Sequence, residues 1–131
     1  MDADMFGIMG DDYGTRAEQV LHFSKNIMQG GKPLLWTMAG ALEKLRDTYN
    51  KRFLSYIYFL ALTCSEEELL FRMKHGRGIH DENWLQASVG HNNYLREHDS
   101  IDGVNYDKYD ISGKNVHDVA TYVDTWINSK L

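Results

Sequence analysis

The run Phe53-Leu-Ser-Tyr-Ile-Tyr-Phe-Leu-Ala-Leu-Thr63, then Cys64, then Ser65-Glu-Glu-Glu-Leu-Leu-Phe-Arg72-Met-Lys-His-Gly-Arg77-Gly-Ile-His80, holds the change of periodicity that sets the architecture. Its first part is almost continuously aromatic and aliphatic, the composition of a strand covered by helices on both faces. Its second part opens with a capping box, Ser65 to Glu68, and puts three carboxylates where the positive end of a helix dipole favours them. The helix is predicted to run to about His75, with Gly76 and Gly78 loosening the chain beyond it.

Strand and helix signals alternate on either side of this segment. Upstream, Met5 to Met9 reads as a short strand ending in the turn residues Gly10 to Gly14. Thr15 and Glu18 suggest a capping box for a helix carrying Val20, Leu21, Phe23, Ile27 and Met28 on one side, stopped by Gly30-Gly31. Pro33 to Thr37 is a second strand candidate, and Ala39 to Tyr49 a helix with Leu42, Leu45 and Tyr49 on one stripe.

Downstream, a helix is predicted over about Glu82 to His98, a turn around Asp99 to Gly103, and a strand from Tyr106 to Ile111. A turn at Ser112 to Asn115 leads into a final helix from Val116 to Lys130, with Val116, Val119, Ala120, Val123 and Ile127 at helical intervals. This order predicts an α/β fold of three layers, α/β/α, with a mostly parallel sheet, because crossovers between parallel strands normally need a helix. Catalytic groups then belong at the carboxyl ends of the strands.

Composition narrows the function classes. A chain of 131 residues with 43% hydrophobic content supports one packed core, so residues 1–131 are expected to form a single domain. The formal charge of −5 disfavours non-specific nucleic-acid binding, which needs a basic face. One cysteine, Cys64, cannot close an internal disulfide, and the start Met1-Asp-Ala-Asp4 lacks the positive charge and apolar run of a signal peptide. The longest apolar stretch, Tyr56 to Leu62, is far shorter than the roughly 20 residues of a membrane helix. A cytoplasmic protein without membrane or nucleic-acid partners is expected.

Candidate chemistry falls at the predicted strand ends. Asp11, Asp12, Tyr13 and Arg16 follow the first strand, where carboxylates can orient a substrate hydroxyl or hold Mg²⁺ through water; turn formation explains the same aspartates equally well. Trp36 and Thr37 end the second strand; the hydroxyl suits a phosphate contact, and the indole suits core packing as well as base stacking. Arg72 and Arg77 carry the most weight. Guanidinium forks stabilise the equatorial charge of a transferring phosphoryl group, and glycines on both sides of Arg77 permit a lid to close. The competing account is a solvated basic helix end complementing the dipole.

The six histidines show no H-E-x-x-H spacing, which predicts no metal site, and Cys64, next to the helix cap, has a thiol whose pKa the dipole would lower, although no evident base partner points to a nucleophilic role. Trp84, Tyr94, Tyr106 and Tyr109 suit either a stacking surface or packing.

The segment Leu62 to Arg77 resembles the strand, helix and lid entry of P-loop small-molecule kinases, a group that includes adenylate kinase and bacterial nucleoside kinases. The tail, Tyr109-Asp-Ile-Ser-Gly-Lys-Asn-Val-His-Asp-Val119, is similar to their last strand, adenine-side loop and closing helix. The resemblance implies a P-loop NTPase-like fold that uses ATP with Mg²⁺ to phosphorylate a nucleoside, nucleotide or similar small hydroxyl compound. It implies that Arg72 and Arg77 contact phosphate from a lid-like segment at about residues 76–83, that Ser112, Gly113 and Lys114 border the base, that Asp11 or Asp12 lies near the acceptor, and that Arg96 is a further phosphate contact. No G-x-x-x-x-G-K-[ST] loop occurs in the sequence, and the family's first strand and that loop would precede Met5. The expectation is an N-terminally incomplete kinase of weak or no activity, with a non-catalytic nucleotide-binding or interaction module as the alternative. An open strand edge would invite pairing of two copies.

Overall fold

A computed structural model describes residues 13–37, 42–54 and 56–131. The strand expected at Met5 to Met9, and Asp11 and Asp12 after it, lie outside the described residues. The chain divides into two compact units, residues 1–57 with 102–104, and residues 58–101 with 105–131.

In the first unit, α1 (Tyr13–Ile27) buries Ala17, Val20, Leu21 and Ser24, the i, i+3, i+4, i+7 stripe of one helix face. Ile27, expected on that face, is 45% exposed. Thr15 lies inside the helix instead of capping it, and Glu18 reaches away. Its carboxylate accepts the backbone N–H groups of Tyr49 and of Asn50 (3.2 Å) and the Asn50 side-chain amide (2.8 Å), so it satisfies the start of a 3₁₀ turn, Asn50–Phe53. Gly30 and Gly31 both adopt positive φ and end the helix as expected.

The rest of this unit departs from the expected pattern. Among the described residues the Pro33 to Thr37 run is extended with an isolated bridge at Thr37, and of the helix expected over Ala39 to Tyr49 they show α2 (Leu42–Arg46), while Ala39 to Ala41 lie outside the described residues. Pro33 has no N–H to offer a ladder, and an apolar run becomes a strand only where a neighbouring backbone completes its hydrogen bonds.

The same reason shortens the long strand. Of Phe53 to Thr63 the described residues form one strand, β1 (Leu60–Thr63), with the Phe59 carbonyl also accepting the Asp107 N–H at 2.9 Å, and Tyr56, Tyr58 and Leu62 are exposed, so it is not the strand buried on both faces that its composition suggested.

In the second unit the elements keep closely to the predicted order. Ser65 caps α3 (Glu66–Phe71) by accepting the Glu68 N–H at 3.3 Å, and a π-helical turn, Arg72–Gly76, extends it and buries Met73. Gly78, at φ +66°, turns the chain so that the Ile79 N–H reaches the Met73 carbonyl at 3.0 Å and Ile79 packs with Met73 and Leu85.

Asp81 caps α4 (Glu82–Glu97), whose buried stripe is Leu85, Val89, Asn92 and Leu95. A short hairpin of β2 (Ser100–Ile101) and β3 (Val104–Asn105) leads to β4 (Asp107–Asp110), and Asn115 caps α5 (Val116–Lys130). Val116, counted on the apolar stripe of α5, is 86% exposed.

β1 and β4 pair in parallel, Leu60 opposite Asp107 through Thr63 opposite Asp110. Successive side chains of a strand point to opposite faces. Lys108 and Asp110 reach α4, Lys108 Nζ donating to the Arg96 and His98 carbonyls at 3.0 Å, while Asp107 and Tyr109 reach α5, Tyr109 stacking on Tyr122 and Asp107 accepting from Trp126 Nε1 at 2.7 Å. Helices therefore meet both faces of β4, in a small mixed α/β protein whose parallel pair has two strands. None of its described helices is long and apolar enough to cross a membrane.

Candidate functional site

The parallel register brings the carboxyl ends of β1 and β4 to the same level, and the loops that leave them are tied together. The Ile111 N–H donates to the Thr63 carbonyl at 2.7 Å, closing the ladder. One residue beyond the end of β1, Asn92 of α4 takes over the ladder's role. Its amide accepts the Cys64 N–H at 3.1 Å and donates to the Cys64 carbonyl at 2.8 Å, acting as a neighbouring peptide would. Asn92 is 8% exposed, so these bonds satisfy groups that water cannot reach.

The Ser65 N–H donates to Ser112 Oγ at 2.8 Å, and Ser112 Oγ donates in turn to Asp110 Oδ1 at 2.6 Å. Ser65 thus caps α3 through its side chain while its own N–H is committed to the facing loop. That is why only half of the expected capping box forms. The other half, Glu68, turns outward and accepts the Gly113 N–H at 2.8 Å on Oε2 and the Arg72 guanidinium on Oε1.

Gly113 has φ +68°, a conformation open to glycine, and a Cβ there would meet nothing within 4 Å. Backbone conformation, not crowding, selects glycine here, because the left-handed turn aims its N–H at the carboxylate. Lys114 Nζ donates to the Asp110 carbonyl at 2.8 Å, and Arg96 faces Asp110 Oδ2 at 3.6 Å. Three cations, Arg72, Arg96 and Lys114, therefore surround two carboxylates and the Ser112-Gly113 turn.

The carboxylates are held in their charged form. The Gly113 N–H, helped by Arg72, keeps Glu68 below the ordinary carboxylate range, and the Ser112 hydroxyl and N–H do the same for Asp110. Cys64 moves the other way from expectation. Burial raises its thiol pKa and outweighs the opposing charge of Arg72, so it is a packed thiol and not a poised nucleophile. Beside Glu68, an open depression of about 330 Å³ is lined by Ser65, Glu67, Glu68 and Phe71.

The structure brings some of the sequence-predicted residues together and leaves others apart. Arg72, Ser112, Gly113 and Lys114 meet in one cluster. Arg77 comes directly after the π-helical turn, its N–H on the Arg72 carbonyl; its side chain is exposed, and among the described residues no hydrogen bond or ion pair holds its guanidinium. Within the 76–83 segment Ile79 is anchored in the core, with Arg77 and His80 exposed on either side of it.

Tyr13 opens α1, Arg16 is half-buried on the same helix, and Thr37 is exposed at the end of its extended run. These three belong to the first compact unit, and Arg72, Arg77 and Ser112 to Lys114 to the second.

Glu68, Asp110 and Asn92 are the participants that sequence reasoning missed. Glu68 carried a signal, since it stands four residues before Arg72, the spacing of a helical ion pair. Asn92 carried one too, as a polar residue on the apolar stripe of α4. Asp110 carried a local one, as an aspartate two residues before Ser112 whose side chain can accept the Ser112 N–H and hydroxyl, but its pairing with Arg96 depends on the fold.

Among the described residues no three His, Cys, Asp or Glu side chains converge as a metal cage. A Mg²⁺ ion carried by ATP is held chiefly by phosphates and water, and asks for no such cage. Comparison with protein-family models, with curated proteins and with solved structures finds no match to this chain in any of the three.

Proposed function

We propose that this chain is a phosphotransferase of the P-loop small-molecule kinase lineage, a three-layer α/β/α domain that acts in the cytoplasm. The reaction is transfer of the ATP γ-phosphoryl group to a nucleoside, nucleotide or similar small hydroxyl compound. One observation carries this reading: Arg72 and the Ser112-Gly113-Lys114 turn, far apart in sequence, meet through Glu68 where two parallel strands end. Open α/β sheets bind ligands outside the carboxyl ends of their strands.

In this reading Arg72 and Arg77 stabilise charge on the transferring group, and Ser112 to Lys114 border the base. Arg96 is a further phosphate contact, while Asp11, Asp12, Tyr13, Arg16 and Thr37 serve the acceptor. Mg²⁺ accompanies ATP and screens its phosphates. Arg77, exposed and without an internal partner among the described residues, is the side chain best able to reach a ligand at little cost to the fold.

The test is calorimetry with Mg²⁺ and ATP, coupled to a phosphoryl-transfer assay over a panel of nucleosides and nucleotides. Micromolar ATP binding is expected, and Arg77→Ala should weaken it about tenfold or more with an unchanged melting temperature, since it removes a charge-assisted contact from an exposed position. Absence of ATP binding by the wild-type chain would sink the assignment.

A second reading, a non-catalytic nucleotide-binding or interaction module with a kinase-like shell, is favoured by one sequence fact: no G-x-x-x-x-G-K-[ST] loop occurs in these 131 residues. ATP binding without transfer to any acceptor would select it.

A further inference from the structure

Glu68 does something at this site that neither helix capping nor a simple ion pair requires. A capping-box glutamate folds back to the N–H of its own cap residue, here Ser65, but that N–H is already given to Ser112. The Glu68 carboxylate instead spans two donors from distant parts of the chain, the Arg72 guanidinium on one oxygen and the Gly113 N–H, 45 residues away, on the other. A cationic fork and a backbone N–H presented by a left-handed glycine are the donors that phosphate oxygens use. The carboxylate is the anion now seated between them.

We propose that Glu68 is the resident occupant of a phosphate seat formed by Arg72 and the Gly113 N–H, and that a phosphate-bearing ligand binds there by displacing it. The inference rests on the phosphotransferase reading, adds to it a built-in competitor, and gives the Gly113 N–H to a phosphate in place of the base. With the ligand absent, Glu68 keeps Arg72 oriented and holds the 112–114 turn to α3. When a ligand phosphate enters, Glu68 gives up both donors and rotates toward the open depression that it lines with Ser65, Glu67 and Phe71. Its side chain is 24% exposed, enough to be rehydrated after release. The 112–114 turn is then held in place before the ligand arrives, and a weak or small anion does not readily win the seat.

The experiment titrates inorganic pyrophosphate, and separately ATP with Mg²⁺, into wild type, Glu68→Gln, Glu68→Asp and Arg72→Gln. Heat is recorded together with the Gly113 amide resonance. Glu68→Gln should bind pyrophosphate about fivefold more tightly than wild type, the scale set by loss of one partly exposed ion pair as competitor. Glu68→Asp is the deciding variant. It keeps the negative charge but is one methylene too short to span both donors, so it should also bind more tightly, and the Gly113 amide should move on titration in wild type. Arg72→Gln should lose binding.

Tighter binding in Glu68→Gln alone, with Glu68→Asp like wild type, means only that a repelling charge was removed and overturns the displacement. Equal or weaker binding in both Glu68 variants also overturns it, while leaving the nucleotide site in place. If neither probe binds any of the four proteins, the phosphotransferase reading fails as well. Should Glu68→Gln not fold, the Glu68→Asp comparison and the wild-type Gly113 resonance still decide the matter.

Discussion

Residues 13–57 and residues 58–131 hold similar supplies of apolar side chains, yet they use them differently. In the second stretch, every helix over ten residues long starts at a side chain that accepts its own N–H, Asp81 for α4 and Asn115 for α5, and the apolar positions close over Met73, Ile79 and Leu85. In the first, α1 has a clean buried face, but among the described residues the apolar run at 33–37 forms no strand beyond a bridge at Thr37, and the described part of the second helix is Leu42 to Arg46. Hydrophobic content is therefore not what separates the two. A cap is a local device that one residue supplies, whereas a ladder needs a second backbone at the right distance.

The sharpest way to break this contrast is to open a cavity in the better-packed stretch. Leu85 is 1% exposed, and Leu85→Ala should cost about 3 kcal/mol, read as a lower urea midpoint at unchanged slope. Val20→Ala in α1, at 2% exposure, removes two methyl groups and should cost about 2 kcal/mol. A smaller loss at Leu85 than at Val20 would mean that the 58–131 core is looser than its burial indicates.

A somewhat smaller effect tests the side-chain ladder at the end of β1. Asn92→Leu has a suitable shape and leaves the Cys64 N–H and carbonyl buried without partners. It should cost about 2 kcal/mol and speed hydrogen exchange at the Cys64 amide. An apolar replacement that stabilised the protein would show that Asn92 serves specificity and not strength.

The smallest effect is electrostatic and separates the stretches by pH. Glu68, Asp107 and Asp110 all have pKa values lowered in the folded state, Glu68 by the Gly113 N–H, Asp107 by Lys130 and Trp126, and Asp110 by Ser112. A depressed carboxylate stabilises the fold above its unfolded pKa, near about 4, and that contribution is lost as pH falls through the folded value. In 13–57, Asp47 is held down by Arg46, and Glu18 is held down by the Tyr49 and Asn50 donors against a larger single opposing effect of burial. Stability should be flat from about pH 7 to 5 and then decline. The fluorescence of Trp84 and Trp126 should respond before that of Trp36; the reverse order would place the acid-sensitive contacts in the wrong stretch.

These contrasts also mark how far the sequence could be read. The α4 and α5 boundaries, the turn at Ser112 to Asn115 and the stop at Gly30-Gly31 were legible, because each is written by residues within one helical turn of the feature they fix. The Phe53 to Thr63 strand was overread, since an aromatic and aliphatic run has the same composition whether or not a partner strand covers it. In the candidate site, Arg72 and the 112–114 turn were visible as residue types, but the carboxylate joining them was assigned to a cap.

The amino-acid order alone determined the helical periodicities, the capped starts of α3, α4 and α5, and the placing of basic side chains after α3, all interactions that span three or four residues. Only the tertiary structure decided that Leu60 to Thr63 lies in register with Asp107 to Asp110, that Asn92 substitutes for a missing peptide beside Cys64, and that Glu68 prefers Gly113 to its own cap. The physical reason is that these bonds join groups 28 to 47 residues apart in the chain. Their partners are chosen by which donors remain unsatisfied once the helices and the strand pair have formed, and no local pattern records that remainder.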